Sequence, residues 1–231
     1  VVLSGNRNAL VAPPGLVDCR LCPRLVDYRE AVARRSRSGG RYWSRPVPPF
    51  GDPTARLLIV GLAPGAEGAN RTGRPFTGDA AGEVLYPTLH RFGFADRGTS
   101  TARDDRLHLV DCVITNAVHC VPPDNRPSLS EFVACLPHLI NEIATLPDLR
   151  VVVLLGQGAA SQFARFLKQR GDIPTLGSLP FGHGRVHELG CGLTVIGSYH
   201  PSRYNLNTGR LTPGMFDDVF AEIRARLPPR R

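Results

Sequence analysis

The sequence predicts an α/β fold of three layers, a parallel sheet between helices, and three observations predict it. Apolar runs rich in β-branched residues, at 57–60, 107–118, 151–155 and 193–196, alternate with stretches of helical spacing. Each run is continuously or nearly continuously apolar, as a strand covered on both faces should be. A glycine-rich loop, residues 61–82, leaves the first run and feeds a helix. α/β proteins use that arrangement to gather backbone N–H groups around an anionic or carbonyl-bearing ligand.

Taken in order, residues 1–56 show no clear strand. They carry Cys19-Arg20-Leu21-Cys22, then Arg24, Arg29, Arg34, Arg35, Arg37, Arg41 and Arg45 around Gly39-Gly40 and Tyr42-Trp43. A C-x-x-C with no strand before it reads as metal-binding in preference to a thioredoxin-type pair. The arginines read equally as a mobile nucleic-acid arm or a solvated loop. The glycine loop lacks the Lys-Ser/Thr ending of a P-loop and the spacing of a dinucleotide turn. Phe76 is its only aromatic, either a stacking platform or a plug into the core.

Residues 81–92 have helical spacing, with Pro87 arguing for a late or kinked start. The 107–118 strand ends on Asn116, at the edge where open α/β sheets meet their ligands, unless it is a satisfied structural residue. Ser128 and Glu131 predict a capping box for a helix reaching about residue 146. A helix over 159–169, a loop or hairpin over 180–189, the strand 193–196 and a closing helix over 215–227, stopped by Pro228-Pro229, complete the chain.

A chain of 231 residues, 42% hydrophobic, fits one domain over 1–231, with 1–56 as a Cys- and Arg-rich extension. The formal charge of +8 favours a polyanionic partner such as nucleic acid, although an arginine-rich codon usage explains it as well. Lys168 is the single lysine, so Schiff-base chemistry has one candidate, on a helix surface. No apolar run approaches a membrane span and no signal pattern is seen, so a cytoplasmic location is expected.

Of six cysteines, Cys112 in a strand and Cys191 in a turn read as small hydrophobes. Cys19, Cys22, Cys120 and Cys135 remain as four thiolates from three segments. They suit a structural zinc or a cubane iron–sulfur cluster, and spacing leaves that choice open, with disulfides as a third reading.

GLAPGAEGANRTGRPFTGD, the Asn116-Ala117-Val118-His119-Cys120 strand end and Tyr199-His200-Pro201-Ser202 resemble the motifs of uracil-DNA glycosylases, specifically the prokaryotic family 5 (type b) branch, over roughly residues 15–227. The resemblance implies a central four-stranded parallel sheet and a 4Fe-4S cluster on Cys19, Cys22, Cys120 and Cys135 that clasps the N-terminal extension to the sheet. It also implies monofunctional removal of uracil, and of other deaminated or modified bases, without lyase activity. The partner is uracil-containing DNA, duplex in the first place and single strands as well. The protein is expected to be a monomer at the nucleoid, with no membrane contact.

Within that resemblance, Phe76 stacks on a flipped base and Asn116 bonds its edge. The backbone of Gly61, Leu62, Ala63 and Gly65, with His200, donates toward the carbonyl oxygen where negative charge collects. Other branches place a polar residue after the first motif glycine to position water, and Leu62 cannot do this. Asp79 is the next carboxylate, with Glu67 second, unless Asp79 only caps the following helix. Arg71, Arg74, Ser202 and Arg203 are expected on the DNA backbone, and Tyr204 or Leu206 as a wedge in the vacated stack. An iron–sulfur redox protein and a non-catalytic nucleic-acid-binding module are the rival readings.

Overall fold

A computed structural model describes residues 12–35 and 42–230. Its strands are β1 (Phe50–Gly51), β2 (Leu57–Gly61), β3 (Cys112–Asn116), β4 (Val151–Leu155), β5 (Val186–Glu188) and β6 (Thr194–Ser198). They form one sheet in the order β1-β3-β2-β4-β6-β5. The inner four are parallel, with Gly61 opposite Asn116 and Leu155 opposite Ser198 at their C-terminal ends. The expected four-stranded sheet is thus the centre of a six-stranded one. β1 and β5 add antiparallel at the edges and are too short to offer much free edge for pairing with another chain.

The helices are α1 (Pro23–Arg35), α2 (Ala69–Thr72), α3 (Gly82–Arg91), α4 (Leu129–Ala144), α5 (Gln157–Arg170), α6 (Arg203–Asn207) and α7 (Pro213–Arg226). Alternate side chains of the buried strands face opposite layers, as the pleat requires. Leu57, Ile59, Ile114 and Val153 pack with Leu85 and Leu89 of α3 and Phe216 and Phe220 of α7. Leu58, Val60, Val113 and Val152 pack with Leu139 of α4 and Phe163 of α5. Among the described residues no helix is long and apolar enough to cross a membrane.

Three expectations are corrected. The strand expected over 107–118 begins only at Cys112, because Asp111 adopts φ 55°. Its carboxylate accepts the Arg56 backbone N–H at 2.9 Å and the guanidinium Nε at 2.8 Å, which holds the backbone out of the extended region. Pro87 neither delays nor ends α3, whose buried Leu85, Tyr86 and Leu89 outweigh one missing hydrogen bond. The supposed arginine arm is in part helix α1, with Pro23 opening it and Leu25 and Val26 buried. Arg24 pairs with Glu131 at 2.7 Å, and Arg29 is buried. Gly39-Gly40, Arg37 and Arg41 lie outside the described residues.

The capping box of α4 is present: the Glu131 N–H donates to Ser128 Oγ at 3.3 Å and the Ser128 N–H to the Glu131 carboxylate at 2.7 Å. Residues 42–47 form a strap across the molecule. Trp43 and Ser44 donate backbone N–H groups to the carbonyls of Arg71 and Asn70 in the glycine loop, at 2.9 and 3.0 Å. Val47 donates to the His119 carbonyl beyond β3 at 2.8 Å. The strap therefore ties the glycine loop to the segment that carries Cys120.

Candidate active site

The C-terminal ends of β2, β3 and β6 open onto one cavity of about 360 Å³. Its lining includes Leu62, Ala63, Gly65, Phe76, Asp79, Asn116 and His200, together with Ser202 and Arg203. Gly61 sits beneath it. A Cβ on Gly61 would lie 2.5 Å from Asn116 Oδ1 and 2.8 Å from Phe76 Cζ, so a bare backbone is what lets both side chains approach. The carbonyls of Gly61 and Leu62 accept the N–H groups of Ala117 and Val118 at 2.9 and 3.0 Å, extending the β2–β3 pairing past the strand ends. The N–H groups of Ala63 and Gly65 carry no hydrogen bond to other described residues.

Phe76 is held at φ 52°, a region bulky residues seldom adopt, and its ring meets the His200 ring at 5.8 Å and 29°. Gly82 makes room for this turn, because a Cβ there would lie 1.8 Å from the Phe76 carbonyl oxygen. Asn116 is 2% exposed, and its carboxamide has no hydrogen-bond partner among the described residues. The His200 ring is likewise free of hydrogen bonds, while its carbonyl accepts from Ser202 N–H and Asn205 Nδ2, each at 2.8 Å. Part of His200 stays open to the cavity, yet packing desolvates the imidazole and pulls its pKa down to about 4. His200 is therefore neutral at physiological pH.

Asp79 both caps α3 and lines the cavity. Oδ1 accepts the Gly82 N–H at 2.9 Å, and Oδ2 packs toward Gly65 and Gly68. Desolvation raises its pKa, against the hydrogen bonds from the Gly82 and Ala81 N–H groups. Glu67 is not in the cavity, and its carboxylate accepts the Tyr42 hydroxyl at 2.5 Å.

Two contributors escaped the sequence reading. Asn125 lines the cavity from a short 3-10 turn, Pro123–Asn125, in which Asp124 and Asn125 both adopt φ 53°. The Pro-Pro-Asp-Asn run was its only signal, since Asn and Asp tolerate that region. His183 accepts the Tyr199 N–H at Nδ1, 3.1 Å, and stacks on the Tyr199 ring at 5.0 Å. Its Nε2–H then donates to the Met215 carbonyl at 3.2 Å, pinning the backbone just before His200. No local pattern announces that role.

The expected DNA contacts separate. Ser202 caps α6 by accepting the Asn205 N–H at 3.3 Å, and Arg203 reaches the cavity rim. Tyr204 is 71% exposed, whereas Leu206 packs partly against the core and is no free wedge. Arg71 donates Nε to its own loop at the Glu67 carbonyl, 2.7 Å, and does not line the cavity. Arg74 is corrected outright. It is 3% exposed, bonded to Asp105 at 2.6 Å and to the Arg103 carbonyl, and stacked on Phe50, so it cannot reach DNA.

Cys19, Cys22, Cys120 and Cys135 line a second, mostly apolar cavity with Leu16, Leu25 and Val118. None of the four is in a disulfide. Burial pushes the Cys120 thiol up to about 11 and that of Cys135 higher still, so deprotonated sulfurs there need a cation. Among the described residues no three Cys, His, Asp or Glu side chains close on one point as a single metal ion requires. Cys112 is buried in β3 and Cys191 is exposed in a turn, both away from this cavity.

The chain is similar to known proteins. The family model described as the uracil DNA glycosylase superfamily matches residues 48–224. The chain is 47% identical to a type-5 uracil-DNA glycosylase of Thermus thermophilus over 221 residues, 95% of this chain and 97% of that one. It is 45% identical to the type-5 enzyme of Mycobacterium tuberculosis, across 96% of this chain and 83% of the relative. A type-5 enzyme of Pyrobaculum aerophilum is also 45% identical, across 91% and 89%.

Proposed function

The chain belongs to the uracil DNA glycosylase superfamily, and from that premise we propose that it is a DNA repair glycosylase that everts uracil from DNA and hydrolyses its N-glycosidic bond. One observation carries the reading: Phe76, Asn116 and His200, distant in sequence, share one cavity at the strand ends.

Glycosidic cleavage in a deoxynucleotide is dissociative, with positive charge growing on the sugar and negative charge on the departing base. The target first leaves the stack. Phe76 offers its ring as a platform, and the unpaired Asn116 amide can donate and accept along the base edge. Neutral His200 supplies an N–H that gives up no proton, and Ala63 and Gly65 add unpartnered backbone donors to the developing oxyanion. With Leu62 in the lining, Asp79 is the one carboxylate there among the described residues, assigned to orient water or to offset charge on the sugar.

The apolar walls, Ala63, Ala69, Ala80 and Ala81, hold no side-chain group that would reject a purine, which supports action on hypoxanthine and modified uracils. No lysine lines the cavity, and Lys168 is exposed near the far end of α5, which supports a glycosylase without lyase activity. Ser202 and Arg203 are assigned to phosphate and Tyr204 to the vacated stack. The enzyme acts as a monomer at a prokaryotic nucleoid, on duplex and single-stranded DNA.

The donor set of the second cavity fits a metal group. Four cysteine sulfurs lining one mostly apolar space are the donor set that a 4Fe-4S cluster takes. Cys19, Cys22, Cys120 and Cys135 would hold it, and there it supplies a covalent clasp between the N-terminal segment, β3 and α4.

The test is incubation with a uracil-containing duplex oligonucleotide, followed by alkali. Scission at uracil only after alkali is expected, and no abasic sites would sink the assignment. A hypoxanthine duplex run beside it decides the wider specificity.

A further inference from the structure

The buried arginines of this chain are not alike. Arg74, 3% exposed, is bonded to Asp105. Arg29 is also 3% exposed, yet no carboxylate pairs with it among the described residues. Its Nη1 donates to Cys120 Sγ at 2.9 Å and its Nη2 to the Cys19 carbonyl at 3.2 Å, while Nε has no partner.

A guanidinium does not deprotonate in proteins, and a buried cation requires an opposite charge close by. A protonated thiol carries none. A cysteine bound to metal is a thiolate, and four thiolates leave either a zinc ion or a 4Fe-4S group with net negative charge. Helix α1 is built to deliver the match. It starts directly after Cys22, with Leu25 and Arg29 one turn apart on the face toward Val118 and Cys120.

We propose that Arg29 is the counter-charge of the metal group held by Cys19, Cys22, Cys120 and Cys135, a positioning residue that hydrogen-bonds a ligand sulfur and keeps the group from being lost. This rests on the cluster reading above. Hydrogen bonds and positive charge at a ligand sulfur favour the reduced form of a cluster, so Arg29 also raises its reduction potential.

The experiment compares anaerobically purified holoprotein with Arg29→Met, for iron and acid-labile sulfide content, visible absorption, iron release to a chelator and reduction potential. Loss of an outer partner weakens metal sites about tenfold or more, and Arg29→Met is expected to release iron faster by about that factor, at a lower potential. Wild-type rates and potential in Arg29→Met overturn the proposal. Should that variant fail to accumulate folded, Arg29→Gln, neutral but polar, is read in the same way. Wild type holding zinc and no sulfide overturns the cluster reading, and faster zinc release in Arg29→Met then still supports the counter-charge role. Wild type holding no metal overturns both.

Discussion

Phe76 combines an aromatic ring with a left-handed backbone, a pairing that carries strain and is kept here beneath a base-sized cavity. Phe76→Ala is expected to lower kcat/KM on a uracil duplex by roughly tenfold to a hundredfold, since stacking on one base contributes about 1–3 kcal/mol. Phe76→Gly should lose as much activity and, like Phe76→Ala, lower the urea midpoint, because either change removes a ring buried in the core, while the φ that glycine accepts freely offsets only part of that loss. His200→Ala should reduce kcat by about 100- to 1,000-fold, the effect of removing one oxyanion donor.

The pH dependence of His200 follows from its lowered pKa. The unfolded chain takes up a proton near 6.5, and the folded chain only near 4. Stability is thus lost as pH falls through that window, and the urea midpoint of His200→Asn should decline less between pH 7 and 5 than that of wild type. The glycine loop, Asn116 and His200 were legible in the sequence because each sits in a local motif. Asn125 and His183 were not, because their roles depend on chain segments that meet only after folding.

At the level of elements, the four parallel strands were legible because burial on both faces leaves an uninterrupted apolar run. The start of β3 was not, since Leu107 and Leu109 are core residues outside the strand and the break is imposed by Asp111 bonding to Arg56. Helix α1 was masked by its arginines, whose partners Glu131 and Cys120 lie about a hundred residues away. α6 sets Tyr204 outward and Leu206 inward, which distributes the two wedge candidates. Tyr204→Ala should therefore depress excision from duplex more than from single-stranded DNA, and equal losses on both would remove the wedge role. His183→Phe keeps a ring beside Tyr199 but deletes the acceptor for its N–H. It should lower kcat more than it raises KM, by loosening the segment that aims His200.

For the whole molecule, the proposed function assigns one cavity to base chemistry and the cysteine cavity to fastening. With the proposed 4Fe-4S cluster on its four cysteines, Cys135→Ser should abolish the visible absorption and lower the thermal midpoint, measured by scanning calorimetry. Residues 42–47 stand upstream of the span 48–224 that the superfamily model covers, yet they bridge the glycine loop and the cysteine segment. A fragment trimmed to those borders retains every strand and forfeits the brace. It would fold around a slack mouth, and so the shortest competent enzyme is longer than its recognisable signature.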